Sequence, residues 1–373
     1  MHVAINAIPV RPGGGLTVLQ GVTHGLRQSA PDWKVSVLSS HRPTHDAMKS
    51  TTGAENVHRV LPNSTAPGLT LWQNVMLGRW LRREKADVLL NVNHFTHNVH
   101  CPQVVYHLNL LRFQDGGVRV PSPYRIQDRL RDWLARTALR RASANVFESR
   151  HLQEVAKNSV SHPVENASVI YIGLPDELSL PALRSSASNS TTRRLVAVTS
   201  PAEHKDNPTL IRMLADLVAR SSTEEWHLDI AGGTDLEVWE PTRKLARELS
   251  VEDRITWHGF CDTDQLTKLF SRSLCLVSTS RVESFAMVAL EAMARGCPPI
   301  VANCAAMPES VGNAGMLASP GDSTAFADEV ERIALDAQLR DRLVARGLER
   351  AARFRWSECG ARFARLFESL YGD

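Results

Sequence analysis

The sequence predicts an α/β protein whose strands form parallel sheets and whose chain divides into two domains. Three observations carry that prediction. The chain has 373 residues, more than one hydrophobic core usually serves. Residues 274–302 (LCLVSTSRVESFAMVALEAMARGCPPIVA) read as strand, helix and strand with tight ends, and such units make parallel sheets. Residues 2–38 repeat the logic: an apolar strand, a Gly-rich turn, a helical pattern and a second strand.

The hydrophobic fraction of 43% is ordinary for a globular chain. A net charge of +3 gives no bulk argument for nucleic-acid binding, and none is expected. The opening MHVAINAIPVRPGGG lacks a basic start and a long apolar core, so no secretory signal is expected. No apolar run approaches the ~20 residues that span a bilayer. Cys101, Cys261, Cys275, Cys297, Cys304 and Cys359 form no CxxC pair, and a reducing cytoplasm is the expected compartment.

Residues 2–8 form the first strand. Arg11-Pro12-Gly13-Gly14-Gly15 follows, and Val18, Leu19, Val22 and Leu26 recur at helical spacing. The glycines fit neither G-x-G-x-x-G nor the P-loop spacing, so a plain turn and a ligand-approaching loop both stay open. Residues 33–38 are the next strand. A helix containing Trp72, Leu77 and Trp80 leads into a strand at 86–92, and a strand at 103–106 ends at His107. A histidine just past a strand end is either well placed for a site or simply satisfied there. His94, His97 and His100 are spaced by three, yet no carboxylate or cysteine pair completes a ligand set, so no metal site is predicted. Residues 124–141 read as an amphipathic helix with Ile126, Leu130, Trp133, Leu134 and Leu139 apolar. Six arginines stand against two aspartates between Arg125 and Arg141. Such a helix turns its apolar stripe to the core or lies on an anionic membrane surface, and the two are compatible if the arginines face outward. A strand at 144–148, a helix at 149–157 and a strand at 169–172 follow. Residues 180–194 are Ser-rich, poorly periodic and read as a linker.

Residues 195–200 restart a sheet, and the loop PAEHKDNP leads into a helix at 209–220. Lys205 in that loop is either a solvated lysine or a point charge for a diphosphate. A strand at 226–231 ends at Gly232-Gly233, where a glycine pair lets backbone approach closely or merely turns. A helix at 241–249, a strand at 255–259, the turn Phe260-Cys261 and a helix at 264–270 follow. The strand at 274–277 ends in a polar turn carrying Arg281 and Glu283. The helix at 285–295, rich in Ala, Met and Leu, stops at Gly296 and is kept stopped by Pro298 and Pro299. Open parallel sheets bind ligands beyond the C-terminal ends of their strands, which is where Glu283 lies. Glu291 sits about two turns into the helix, within VALEAMA, where a solvated face should show more polar neighbours. The amides that open this helix, from about Ser284 to Val288, favour an anion such as phosphate. Carboxylates eight positions apart around those amides suit an anionic ligand carrying hydroxyls; solvated positions on an ordinary helix are the plain alternative.

The stretch RVESFAMVALEAMARGCPPIVAN resembles the E-x7-E signature of family 4 glycosyltransferases, retaining enzymes of the GT-B fold. HKDNPTLI resembles that family's lysine-containing loop, and NCAAMPE with Val311-Gly312-Asn313-Ala314-Gly315 resembles its PEV-GDAA segment. The resemblance covers nearly the whole chain and is strongest over 195–370. It implies two facing Rossmann-like, doubly wound domains with an interdomain cleft. An acceptor-side domain would span 1–178, a linker 179–194 and a donor-binding domain 195–356, with a C-terminal helix at 357–373 crossing back. It implies transfer of a sugar from a nucleoside-diphosphate sugar to a hydroxyl of a carbohydrate or lipid-linked carbohydrate acceptor. The setting would be cell-surface polysaccharide or glycolipid synthesis, with retention of configuration and with neither metal nor cofactor. Catalytic roles fall to Glu283, His107 and Lys205. Donor contacts fall to Gly14, Gly15, Lys205, Gly232, Phe260, Ser284, Phe285, Ala286 and Met287, with Glu291 accepting from the ribose hydroxyls. Peripheral attachment at the inner membrane face through helix 124–141 is a secondary expectation. Some positions depart from the family: Asn109 replaces an Asp after His107, and Ile172 replaces an Asn before Gly173. Thr199 and Ser200 stand where an Arg is usual, and Ala286 where Gly is frequent. These departures keep open a catalytically degenerate GT-B partner subunit and a GT-B nucleotide-sugar epimerase.

Overall fold

The computed structural model describes residues 1–52, 56–60, 66–113, 125–175, 192–221, 225–233 and 236–371. They divide into two compact units, one holding the described residues of 1–176 and 354–373, the other those of 177–353.

The first unit runs β1 (His2–Asn6), α1 (Gly14–Ser29), β2 (Lys34–Ser39), α2 (Arg42–Thr52), β3 (Val57–Arg59), α3 (Ala66–Val75), α4 (Leu77–Glu84) and β4 (Val88–Val92). It continues through β5 (Gln103–His107), α5 (Arg125–Arg141), β6 (Ala144–Phe147), α6 (Arg150–Asn158) and β7 (Ala167–Val169). The second unit runs β8 (Thr192–Val198), α7 (Asn207–Arg220), β9 (Glu225–Ala231), α8 (Leu236–Glu248), β10 (Ile255–Gly259), α9 (Thr263–Arg272), β11 (Cys275–Ser278) and α10 (Met287–Ala294). It ends with β12 (Pro299–Ala302), α11 (Met307–Val311), β13 (Met316–Ala318), α12 (Ser323–Leu335) and α13 (Ala337–Ala351). The last helix, α14 (Trp356–Tyr371), belongs to the first unit.

The sheet orders are β3-β2-β1-β4-β5-β6-β7 and β10-β9-β8-β11-β12-β13. The pairings in both are parallel, with Val3 opposite Val88 and Val277 opposite Ile300. Strands β1, β4, β5 and β12 are buried along their whole length. A sheet covered by helices on both faces needs such continuous burial, so these strands read as apolar runs rather than alternations. The direction of winding reverses between β1 and β4 in one sheet and between β8 and β11 in the other. Crevices at such reversals are where doubly wound sheets bind ligands.

Helix α14 packs on α1. Glycines permit the crossing: a Cβ on Gly25 would stand 1.9 Å from the Trp356 carbonyl oxygen, and one on Gly21 2.0 Å from the Trp356 ring. Trp356, Phe363 and Phe367 are buried there, each adding on the order of 2 kcal/mol of apolar burial.

Several elements differ from the sequence reading. The helix expected around Trp72, Leu77 and Trp80 is two helices, α3 and α4. Pro241 lies inside α8 rather than at its start. The strand expected at 169–172 is β7, which ends at Val169. Helix α10 starts at Met287 instead of Phe285 because Ala286 sits at φ −86°, ψ 70°, outside the helical region. On α5, Leu134 and Leu139 are buried, but Leu130 and Trp133 are 44% and 55% exposed, so the apolar stripe does not all face the core. Most of the linker expected at 179–194 lies outside the described residues. Among the described residues no helix is long and apolar enough to cross a membrane.

Candidate functional site

At the reversal of the second sheet, the loop after β8 is stitched to the loop after β11. Thr279 Oγ1 donates to the carbonyls of Lys205 and Asp206, at 3.0 Å each. The Arg281 amide donates to the His204 carbonyl at 2.7 Å, and Ser280 Oγ donates to the same oxygen at 3.2 Å. Asp206 adopts φ +50°, a left-handed conformation that non-glycine residues seldom take. Its Oδ2 accepts from Arg281 Nε at 2.8 Å and from Thr209 Oγ1 at 2.9 Å, which holds the strained residue in place.

The stitching brings Lys205 Nζ to 2.6 Å from Glu283 Oε1, with side-chain exposures of 23% and 21%. The ammonium has three donors and this contact occupies one. Glu283 keeps its second oxygen as an acceptor. The pair therefore offers donors to an anion and an acceptor to a hydroxyl at one point. Removing either partner would leave a partly buried charge without its counterion.

The opening of α10 corrects part of the sequence reading. The Ala286 amide, expected to face a ligand, donates to Ser310 Oγ at 3.1 Å, and Ser310 in turn donates to the Ala306 carbonyl. The Met287 amide donates to the Phe285 carbonyl at 3.0 Å. The Phe285 and Ala286 side chains are buried, while those of Ser284 and Met287 are half-buried. Deeper in α10, burial pushes the Glu291 carboxyl above its ordinary pKa, and the nearby Arg295 only partly offsets this. The Arg295 guanidinium donates to Thr267 Oγ1 at 2.8 Å and to the Glu291 carbonyl at 2.9 Å. Among the described residues no hydrogen bond reaches the Glu291 carboxylate. A carboxylate in that state is stabilised by hydroxyl donors.

Gly232 has φ +117°, and a Cβ there would stand 1.9 Å from the Thr199 carbonyl oxygen. Its amide donates to the Gly259 carbonyl at 2.7 Å. The glycine thus lets the ends of β8, β9 and β10 close up. Phe260 follows β10 and is 74% exposed. Thr199 Oγ1 donates to Asn207 Oδ1 at 3.0 Å, and Asn207 Nδ2 to the Ser200 carbonyl at 2.8 Å. The two residues standing at the resembled family's Arg position therefore tie the loop to α7.

In the first unit, His107 is buried rather than open at the strand end. It ends β5 and is 1% exposed. Its Nε2 donates to Asn145 Oδ1 at 2.9 Å, and its ring stacks on Phe147 at 4.8 Å between centroids. Burial pushes its pKa down to about 4. Burial thus favours the neutral ring, and among the described residues no hydrogen bond reaches its Nδ1.

Beyond β1 and β4 lies a cavity of about 410 Å³, lined by Ile8 to Arg11, Gly15, Leu69, Gln73, Asn93, His94, Asn109, Arg112, Arg131 and Leu134, among others. Gly13, two residues before the lining Gly15, has φ +127°, a conformation that favours glycine, and a Cβ on Gly14 would meet open space. A buried amide chain stiffens its floor: Gln73 Nε2 donates to Asn6 Oδ1 at 3.4 Å, Asn6 Nδ2 to Asn91 Oδ1 at 2.8 Å, and Asn91 Nδ2 to Gln103 Oε1 at 2.9 Å. His94 Nδ1 lies 2.7 Å from the Val92 carbonyl, which can only accept, so that nitrogen carries the proton. Burial lowers the His94 pKa. The sequence reading singled out His107 and considered His94 only as one of three spaced histidines. The position of Asn93-His94 directly after β4, beside the winding reversal, was the available signal. Arg11 and Arg131 escaped it because only the fold joins them. Among the described residues no group of three His, Cys, Asp or Glu side chains converges as a metal site, and His97 stacks on Trp133.

Two doubly wound parallel-sheet units of this kind define a protein of the GT-B class. Residues 182–350 match the glycosyl transferases group 1 family. The D-inositol 3-phosphate glycosyltransferase of Frankia alni is 31% identical over 155 residues, which cover 40% of this chain and 38% of that one. The GDP-mannose:cellobiosyl-diphosphopolyprenol alpha-mannosyltransferase of Komagataeibacter xylinus is 28% identical over 192 residues, covering 51% and 48%. The matches thus span less than half the length of these relatives. The sucrose-phosphate synthase of Thermosynechococcus elongatus superposes with a TM-score of 0.76 at 19% identity, covering 100% of this chain and 99% of that one, which establishes the shared fold.

Proposed function

We propose that the chain transfers a sugar from a nucleoside-diphosphate sugar to an acceptor hydroxyl, with retention of configuration and without a metal. The observation that carries this reading is the Lys205–Glu283 pair at the winding reversal of the second sheet, 2.6 Å apart. Lys205 neutralises the departing diphosphate, and Glu283 accepts from a hydroxyl of the donor sugar. Glu291, a half-buried carboxylate without a protein donor among the described residues, accepts from the ribose hydroxyls. Charge developing on the leaving diphosphate meets fixed groups that need not reorganise. Gly14 and Gly15 leave room beside the first-unit cavity, which is the acceptor half. Nucleotide-sugar donors and lipid-linked acceptors appear in the names of relatives, and this chain's place is polysaccharide or glycolipid synthesis.

The test is incubation with a panel of nucleotide-sugars, scoring donor hydrolysis and the anomeric configuration of any product by NMR. Slow hydrolysis of one donor is expected. Turnover of none points to a degenerate partner subunit, and interconversion of the sugar without acceptor points to an epimerase.

The exposed Leu130 and Trp133 stand among exposed arginines on α5. This favours peripheral attachment to an anionic membrane at the cytoplasmic face. Flotation with anionic liposomes, lost at high salt, is the expected result; no co-flotation at low salt refutes it.

A further inference from the structure

One arginine grips the chain on both sides of Lys205. The Arg281 amide donates to the carbonyl of His204, the residue before the lysine, at 2.7 Å. Its side-chain Nε donates to Oδ2 of Asp206, the residue after the lysine, at 2.8 Å. Glu283, which meets the lysine ammonium at 2.6 Å, lies two residues beyond Arg281 on the same loop. The residue that fixes the lysine's backbone is therefore tied by a short stretch of chain to the residue that its ammonium meets. The Asp206 side chain is 10% exposed, and among the described residues Arg281 is the one cation paired with it. Asp206, at φ +50° and ψ 46°, makes the sharp turn from the 3-10 turn Glu203–Lys205 into α7. A left-handed residue other than glycine persists where its surroundings hold it. Thr209 Oγ1 donates to the same carboxylate oxygen but brings no charge. The Arg281 guanidinium also lies close against Gly321, where a Cβ would stand 2.7 Å from Nη2. The turn after β13 thus has room for it because no side chain stands there.

We propose that Arg281 is a positioning residue: through Asp206 it holds the Lys205 ammonium at Glu283, and it does not itself touch the donor. The role rests on the glycosyltransferase reading above, in which Lys205 meets the diphosphate. Loss of the Arg281 side chain leaves its amide on His204 but frees the turn at Asp206, so the lysine loses its fixed direction while the loop stays attached.

The first arm of the test is a double-mutant cycle. Uridine and guanosine diphosphates are titrated calorimetrically into the wild type, Arg281→Met, Lys205→Ala and the double variant. Arg281→Met is expected to weaken nucleotide binding at least about threefold when Lys205 is present and less than about 1.5-fold when it is replaced, since a residue acting through another shows no separate effect once that other is gone. Arg281→Lys, which keeps a cation beside Asp206, is expected to recover most of the loss. Arg281→Met/Asp206→Asn leaves no buried carboxylate without its counterion, so it shows the same loss in a chain spared that penalty. A fall of equal size in both Lys205 backgrounds overturns the proposal, because Arg281 then meets the diphosphate itself. Wild-type affinity in Arg281→Met overturns it as well. The second arm needs no ligand: trace acetylation of Lys205 is followed by mass spectrometry against Lys244, whose side chain is 70% exposed. Arg281→Met is expected to raise the labelling of Lys205 relative to Lys244 several-fold, because the ammonium no longer stays on Glu283. An unchanged ratio overturns the proposal. If the wild type binds neither nucleotide, the glycosyltransferase reading fails instead, and the labelling ratio still decides the role of Arg281.

Discussion

The two winding reversals share a topology and differ in chemistry. The second sheet's reversal presents a lysine and a glutamate already joined, 2.6 Å apart, with a second, half-buried carboxylate further along α10. The first sheet's reversal presents arginines, neutral amides and a wide cavity with no acid in its lining among the described residues. The fold thus supplies two similar crevices, and the residues after the strands give them different charge and different room.

The contrast is broken most severely at the charge pair. Glu283→Ala and Lys205→Ala should each lower kcat/KM by at least ~100-fold, since the contacts tighten as charge develops on the leaving group. Steady-state rates with the hydrolysed donor check this, and wild-type rates in both variants would remove the pair from the site.

His107 sharpens the comparison from the other side. His107→Ala should destabilise the protein by about 2 kcal/mol through the loss of packing and of the Asn145 bond, leaving kcat per folded molecule unchanged. Its depressed pKa makes the sign definite. The buried neutral ring contributes stability above an unfolded value of ~6.5 that is lost as pH falls through about 4. Denaturation across that window should be steeper in the wild type than in His107→Leu. Equal acid sensitivity would contradict the burial account.

A smaller effect is expected at Glu291. Its raised folded pKa means that ionisation opposes folding: stability is greatest below the unfolded carboxyl value and falls as pH rises through the folded one. Glu291→Gln should therefore raise the melting temperature at neutral pH in the absence of ligand. The same change should weaken nucleoside-diphosphate binding by about tenfold, ~1.4 kcal/mol, because an amide is a poorer acceptor for ribose hydroxyls. Calorimetric titration and a thermal scan give both numbers. A lower melting temperature with unchanged affinity would show that Glu291 is a structural acid.

The smallest expected change lies on α5. Leu130→Ser/Trp133→Ser should lower liposome partitioning several-fold without altering hydrolysis in solution. Unchanged partitioning would assign those exposed side chains to something other than lipid.

The Glu283–Glu291 stretch was legible in the sequence because its residues are local. Glu283, the start of α10 and Glu291 lie within one strand–helix–strand unit, whose apolar runs and Gly-Pro stop define it. Lys205 joined them through the resemblance of HKDNPTLI to the family's lysine-containing loop. The first-unit cavity was not legible, because its residues come from α1's leading loop, α3, the turn after β4 and α5, which no spacing connects. The burial of His107 was not legible, for a physical reason. A histidine at a strand end looks the same in sequence whether β6 covers it or leaves it open, and Asn145 and Phe147 cover it. Ala286 misled similarly, since Ser310, twenty-four positions away, takes its amide.

The central claim is that the reversal between β8 and β11 binds a nucleoside-diphosphate sugar through Lys205. Isothermal titration of a nucleotide-sugar panel against the wild type and Lys205→Ala tests it most directly. The account predicts that at least one donor binds the wild type and that Lys205→Ala weakens that binding at least tenfold. Equal affinity in the two proteins, or no binding of any donor by a folded wild type, would contradict it.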